Sequence, residues 1–385
     1  MPPLQCSRVG GISQKSGTFR SSPPQNNRNA VNNSPECSLH CEPADLQFWE
    51  VVLNTMEGSP KILIGYDGSH CAEAAVDDLQ RAGLPRVVEA FVLVVTEVSL
   101  PPPPPSSYEI VEQAREVHVP ADMPRVYAKG SPAMQEAQSL CDKALERLRA
   151  NFPEWRITGG ISVGSPAREL VSKADEWKPN LIVVGSHGRL GMGRLVLGSV
   201  SQGVVTYAHC SVRVARGRLD EPNTPVRIVV GVDGSPSAAA AVREIRSRAW
   251  PGNSEVKLIA VEDPLTPSFV GRFIPPVTKI VEESNQFDRE WLNETLKNSA
   301  ECLRTSGLKV VTEIRKGDPK RVLVDAAKDW GADCIFVGSL GFSSPFERFL
   351  LGSVSASVAA RAHCSVEVVR PQKYDGGNHD ERKSE

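Results

Sequence analysis

The sequence has no surplus of charge of either sign. It holds 44 Lys and Arg against 46 Asp and Glu, a formal net charge of −2. That balance argues against a nucleic-acid partner and against an acidic solvating tail. There is no apolar run near the about 20 residues that span a bilayer, and no apolar stretch of signal type follows the N-terminus. The expectation is a soluble cytoplasmic protein with no membrane partner. Framed cysteines are missing too. Of nine Cys, six (Cys71, Cys141, Cys210, Cys302, Cys334 and Cys364) fall inside apolar or helical patterns. They read as packed thiols in a reducing compartment, not as a disulfide scaffold. Catalytic templates are scarce. The dipeptide Gly-Lys occurs nowhere, which removes the phosphate-binding P-loop, and there is no H-E-x-x-H. No G-x-S-x-G nucleophile elbow is expected either.

What is present is repetition. "LGSVSQGVVTYAHCSVRVAR", Leu197–Arg216, and "LGSVSASVAARAHCSVEVVR", Leu351–Arg370, agree at 13 of 20 positions. "KILIGYDGS", Lys61–Ser69, is restated as "RIVVGVDGS", Arg227–Ser235. Between these landmarks each half runs strand, helix, strand, helix, strand, helix, strand, helix, strand. A chain of 385 residues is too long for one ordinary core, and a repeat of this length is a duplicated domain rather than a solenoid unit. The expected boundaries are 58–217 and 225–371, joined by the polar "GRLDEPNTP". Residues 1–57, with "SSPPQNNRNAVNNSP", and 372–385 read as disordered extensions. The basic N-terminal stretch reads as an ordinary tail more readily than as a transit peptide. Its Cys37, His40 and Cys41 amount to half a metal site at best.

Strands separated by helices pair in parallel with right-handed crossovers. Strands apolar on both faces fit a sheet covered by helices. Each half is therefore expected to be an α/β doubly wound sheet, which binds ligands beyond the carboxyl ends of its strands. At the end of the fourth strand Gly185, Gly188 and Gly198-Ser199 are spaced G-x2-G-x9-G-S. Glycine lets a ligand approach backbone with no Cβ in the way. Gly198-Ser199-Val200 opens a helix, whose free amides and dipole attract an anion. The plainer reading makes Ser199 a cap and the glycines a loop. Asp67, ending the first strand, is suited to an adenine amino group or a ribose hydroxyl, or merely shapes the turn with Gly68 and Ser69.

This constellation resembles the universal stress protein family, over residues 60–216 and 226–370. The resemblance implies a five-stranded parallel sheet of order 3-2-1-4-5 in each half. It implies ATP, accompanied by Mg²⁺, between the first and fourth strands. Asp67 and backbone near Val95 would contact adenine, Gly185 and Gly188 would line the ribose and α-phosphate, and Gly198, Ser199 and Val200 would hold the outer phosphates. The second half keeps Asp233, Val261, Gly338, Gly341, Gly352, Ser353 and Val354.

It departs in the glycine loop. Ten residues separate Gly341 from Gly352 where the first half has nine between Gly188 and Gly198, and Pro345 has entered. Proline removes an N–H donor, so the first half is expected to be the better site and the second a weaker site or a pairing partner. The loops opening at Pro101–Pro105 and at "DPLTPSFVGRFIPP" leave the same edge of the sheet and are read as lids or as disorder. His187 is the one imidazole placed to reach the phosphates. An ATP-binding regulatory protein is the leading reading. A nucleotide-independent interaction module and a weak ATPase are the alternatives. The family also implies pairing through the closing strands, "SVRVAR" and "SVEVVR". Fusion would make that pairing intramolecular, with a homodimer as a further expectation.

Overall fold

In the computed structural model the described residues are 59–96, 132–188, 197–216, 224–262, 275–340 and 351–371. The two tails, the linker core, the Pro101–Pro105 loop, Cys37, His40, Cys41 and the loop holding Gly341 and Pro345 lie outside them.

The first half begins with β1 (Lys61–Gly65), whose central three residues are buried. The chain then turns through Asp67-Gly68-Ser69 into α1 (His70–Asp78). Gly68 takes φ +75°, open to glycine at little cost. Ser69 caps α1 by accepting the Ala72 N–H at 3.1 Å. After β2 (Glu89–Thr96) come α2 (Pro132–Asn151), β3 (Arg156–Val163), α3 (Pro166–Trp177) and β4 (Leu181–Gly185). The half closes with α4 (Ser199–Tyr207) and β5 (Ser211–Ala215). The second half repeats the order: β6 (Arg227–Gly231), α5 (Pro236–Arg246), β7 (Glu255–Glu262), α6 (Pro275–Arg304), β8 (Lys309–Lys316), α7 (Pro319–Trp330), β9 (Cys334–Gly338), α8 (Ser353–Arg361) and β10 (Ser365–Val369). The sequence pattern starts the long helix of this half near Asp288, but α6 begins at Pro275. Two prolines in a first turn cost nothing there, because those N–H groups have no intrahelical acceptor anyway.

All ten strands form one sheet, in the order β3-β2-β1-β4-β5-β10-β9-β6-β7-β8. Each half thus has the order 3-2-1-4-5 with parallel neighbours, and β5 pairs antiparallel with β10. The closing strands, each the last strand of its own half and expected to pair with one another within the chain, do so at the centre of the sheet and are buried throughout. The true edges are β3 and β8, which are largely half-buried or exposed. One face of the sheet carries a single core shared by both halves, in which Leu170 and Val204 join Leu323 and Val358. The other face carries two separate cores, one under α1 and α2, one under α5 and α6.

The repeated "AHCSV…R" has its explanation at the seam. Arg216, just past β5, donates its amide to Ser365 Oγ at 3.0 Å and its guanidinium to the Ala359 carbonyl of α8 at 2.5 Å. Arg370, just past β10, donates its amide to Ser211 Oγ at 3.1 Å and its guanidinium to the Val205 carbonyl of α4 at 2.6 Å. Each half therefore caps the carboxyl end of a helix in the other. That end has unpaired carbonyls and the negative pole of the helix dipole.

Candidate functional site

Asp67 leaves the carboxyl end of β1 and does two things. Its Oδ1 accepts the Ser69 N–H at 3.0 Å, which fixes the turn into α1. Its Oδ2 faces Gly188: a Cβ on Gly188 would lie 3.0 Å from that oxygen. The turn-shaping reading is thus correct, and a carboxylate oxygen still stands at the crevice between β1 and β4. Val95, near the end of neighbouring β2, is half-buried and pairs with Ser162.

The end of β4 meets the start of α4 on close backbone terms. The Gly198 N–H donates to the Ser186 carbonyl at 2.8 Å. A Cβ on Gly198 would sit 3.3 Å from His187 Cα and 3.3 Å from the Ser186 oxygen. Gly198 is the N-cap residue, with φ −63° and ψ 151°, and no side chain caps the helix. Glycine suits this position for close packing and not for a left-handed backbone. Ser199 is the first helical residue, not the cap, and is exposed; Val200 behind it is half-buried on the shared core. The amides of the first turn have no intrahelical acceptor, and their N-cap lies beside Gly188, a Cβ on Gly198 falling 3.7 Å from the Gly188 nitrogen. Gly185 is used differently. A Cβ there would come within 2.8 Å of the Cys71 carbonyl oxygen and 2.9 Å of its carbon. Its missing side chain lets α1 pack against β4, whatever else binds nearby.

One contributor is not evident from the glycine spacing. Ser201 Oγ donates to the Gly185 carbonyl at 2.6 Å, tying the first turn of α4 to the end of β4. Ser355 Oγ ties α8 down likewise, donating to the Ser339 carbonyl one residue further on, at 3.0 Å. The repeated "GSVS" carries this signal. His187 is half-buried, its Nδ1 lies 3.0 Å from Ser186 Oγ, and its Nε2 is buried without a hydrogen-bond partner. Burial, and to a lesser degree the Arg216 charge, holds the imidazole pKa below its ordinary value.

The second half repeats this frame with changes. Asp233 Oδ1 accepts the Ser235 N–H at 3.0 Å, and Gly352 donates to the Ser339 carbonyl at 2.7 Å. Gly338 has the same packing duty as Gly185, with a Cβ clashing at 2.6 Å from Ala238 N. Ser353 opens α8 and is exposed, Val354 is half-buried against the shared core, and Val261 lies near the end of β7. Leu340 stands where the first half has His187, and its carbonyl accepts from both Ser235 Oγ at 3.2 Å and Ser237 Oγ at 2.5 Å. This turn is tied down more tightly and lacks an imidazole.

Two other chemistries fare poorly. The spacing G-x-S-x-G does occur, at Gly160–Gly164. Its Ser162, however, lies inside the β3 ladder opposite Val95 and gives its hydroxyl hydrogen to Glu169, so it forms no elbow. The paired cysteines are packed thiols: burial pushes Cys210 up to about 11 and Cys364 up to about 12, far from a reactive thiolate. A cavity of about 330 Å³ lined by Gly83, Leu84, Phe152, Trp155 and Trp250 opens at the amino ends of the strands and touches no candidate residue. No helix among the described residues is long and apolar enough to cross a membrane.

The model of the universal stress protein family matches this chain twice, over residues 59–216 and 226–370. A universal stress protein of Mycolicibacterium smegmatis is 32% identical over 209 residues, 54% of this chain and 67% of that protein. One of Methanocaldococcus jannaschii is 34% identical over 149 residues, 39% of this chain and 84% of the relative. Among solved structures, a universal stress protein from Archaeoglobus fulgidus aligns with 81% of this chain and 98% of its own, at 21% identity and a TM-score of 0.49. With a matched copy in each half and the repeated sheet order, the chain belongs to the universal stress protein family, as a tandem member with two such domains.

Proposed function

We propose that this protein is an ATP-binding regulatory protein of the stress response, with the nucleotide held in domain 1 between the carboxyl ends of β1 and β4. The observation that carries this reading is a convergence. Gly188 lies between two groups: Asp67 Oδ2 faces it on one side and the Gly198 N-cap of α4, with no side-chain cap, on the other. That is an acceptor for a base or ribose beside donors for phosphate. The unpartnered His187 Nε2 supports it, being a buried polar atom that a ligand could satisfy. Val95 would approach the base, Gly185 the ribose region, and Ser199 and Val200 the outer phosphates. Among the described residues no group of three or more His, Cys, Asp or Glu is arranged to hold a metal ion. Mg²⁺ in this reading therefore arrives with ATP on its phosphate oxygens. Domain 2, with Asp233, Val261, Gly338, Gly341, Gly352, Ser353 and Val354, serves as a weaker site. It lacks the imidazole, and its loop carries Pro345.

Equilibrium binding of ATP–Mg²⁺ to the wild type and to Gly198→Val tests the proposal. The variant sets γ-carbons against the backbone of Ser186 and His187. Affinity is expected to fall at least tenfold while circular dichroism stays that of the wild type. Equal affinity in a folded variant would leave the nucleotide reading without its main support. Phosphate release from the same samples, expected at background, separates a binding protein from a weak ATPase.

A further inference from the structure

The strand register puts a pseudo-twofold axis between Arg213 and Glu367. Val212 faces Val368, Arg213 faces Glu367 and Val214 faces Val366. Arg213 and Glu367 are also equivalent positions of the two repeats, 154 residues apart like Ser211 and Ser365. In a symmetric pair of identical domains, the residue on this axis meets its own copy. Here it meets its opposite. Arg213 reaches Asp78 at 2.6 Å and Glu367 at 3.2 Å, and Glu367 is also gripped by Arg248. The row alternates in sign, and the Arg213, Glu367 and Arg248 side chains are at most 3% exposed.

A second observation concerns size. Ala82 and Arg248 are equivalents 166 residues apart, and Arg248 donates to the Ala82 carbonyl at 2.9 Å. Next to them, Gly83 faces Trp250 so closely that a Cβ on Gly83 would lie 2.8 Å from the indole. The equivalent of Gly83 is Ala249, which has that Cβ. Two copies of domain 2 would set Glu367 on Glu367, Arg248 on Arg248 and Trp250 on the Ala249 methyl. Two copies of domain 1 would bury Arg213 against Arg213. Like charges opposed in a ladder are unfavourable, more so without water.

We propose that this seam is selective: the closing edge of domain 1 accepts only the closing edge of domain 2. The chain then closes on itself, and two chains can join through this surface only by exchanging halves. Duplication made this possible, since identical domains cannot place opposite charges on their own axis, and mispairing is penalised by charge in either self-pair and by size as well in that of domain 2.

Two full-length variants test it by native mass spectrometry and amide hydrogen exchange. Arg213→Glu gives a chain with Glu at both closing edges; Glu367→Arg gives Arg at both. Each alone is expected to stay monomeric, with β5 and β10 amides exchanging at least tenfold faster than in the wild type while β1 and β6 amides stay protected. Mixed, the two are expected to form a 1:1 heterodimer, because the first supplies an intact domain 2 edge and the second an intact domain 1 edge. Either variant dimerising alone as readily as the mixture, or keeping its seam amides as protected as the wild type, overturns the proposal. If a charge reversal does not fold, Arg213→Met and Glu367→Gln carry the test. Their effects on seam exchange are expected to be non-additive in the double variant; additive effects would refute a pairing across the axis.

Discussion

His187 stands at the exit of β4 with one ring nitrogen 3.0 Å from Ser186 Oγ and the other buried without a partner. Desolvation first, then the charge of Arg216, favours the neutral ring. In the unfolded chain the ring protonates near its ordinary value of 6.5; in the fold it resists protonation to lower pH. Its contribution is therefore whole above about pH 6.5 and is lost as pH falls through the lower folded pKa. Thermal melts at pH 7.5 and 5 should show the wild type losing more stability on acidification than His187→Gln. An equal loss in both would mean that the ring titrates as if exposed. Arg216, whose charge acts on His187, also grips the end of α8, so it couples the candidate site to the seam between the halves.

Between elements, the glycines of the motif separate into two kinds. Gly185 and Gly338 answer a packing demand, because a Cβ would strike helix backbone at 2.8 Å and 2.6 Å. Gly188 answers a different one: among the described residues a Cβ would meet the far end of the Asp67 side chain, at 3.0 Å. Gly185→Ala is expected to cost about 1–3 kcal/mol through strain, read as a lowered urea midpoint. Gly188→Ala should barely move that midpoint yet weaken ATP. Equal loss of stability in both variants would contradict this division. The turn glycines Gly68 and Gly234 are different again, needing φ of +75° and +74°.

The whole molecule depends on the exchange of arginines across the seam. Arg370 ties to the Val205 and Cys210 carbonyls, and Arg216 to those of Ala359 and Cys364. Removing one orphans carbonyls at a helix end, at about 1–3 kcal/mol. Arg370→Met and Arg216→Met should each lower stability by that order and by similar amounts, since they are related by the same pseudo-symmetry. Denaturant unfolding checks both, and a large inequality would show that the caps are not equivalent. The seam lies in the middle of a ten-stranded sheet over a core shared by both halves, so opening it exposes apolar surface as well as charge.

Much of this protein was legible in the chain itself. The duplication, the alternation of apolar strands with amphipathic helices, and the Asp-Gly-Ser turns are local patterns. Local patterns suffice for element type and for a parallel doubly wound sheet, because few connections satisfy right-handed crossovers; the strand order 3-2-1-4-5 came from the family resemblance. The candidate site was legible as a spacing, since glycines and a helix start can be counted along a line. What each glycine is for was not, because Gly185 and Gly188 differ only in what lies opposite them, Cys71 backbone or the Asp67 carboxylate. The pairing of the closing strands was expected from the family, but nothing in the sequence singled out Arg213 and Glu367 within them. Only antiparallel pairing on an axis turns them into a buried pair of opposite charge, because register between distant segments is set by the packing of both halves together.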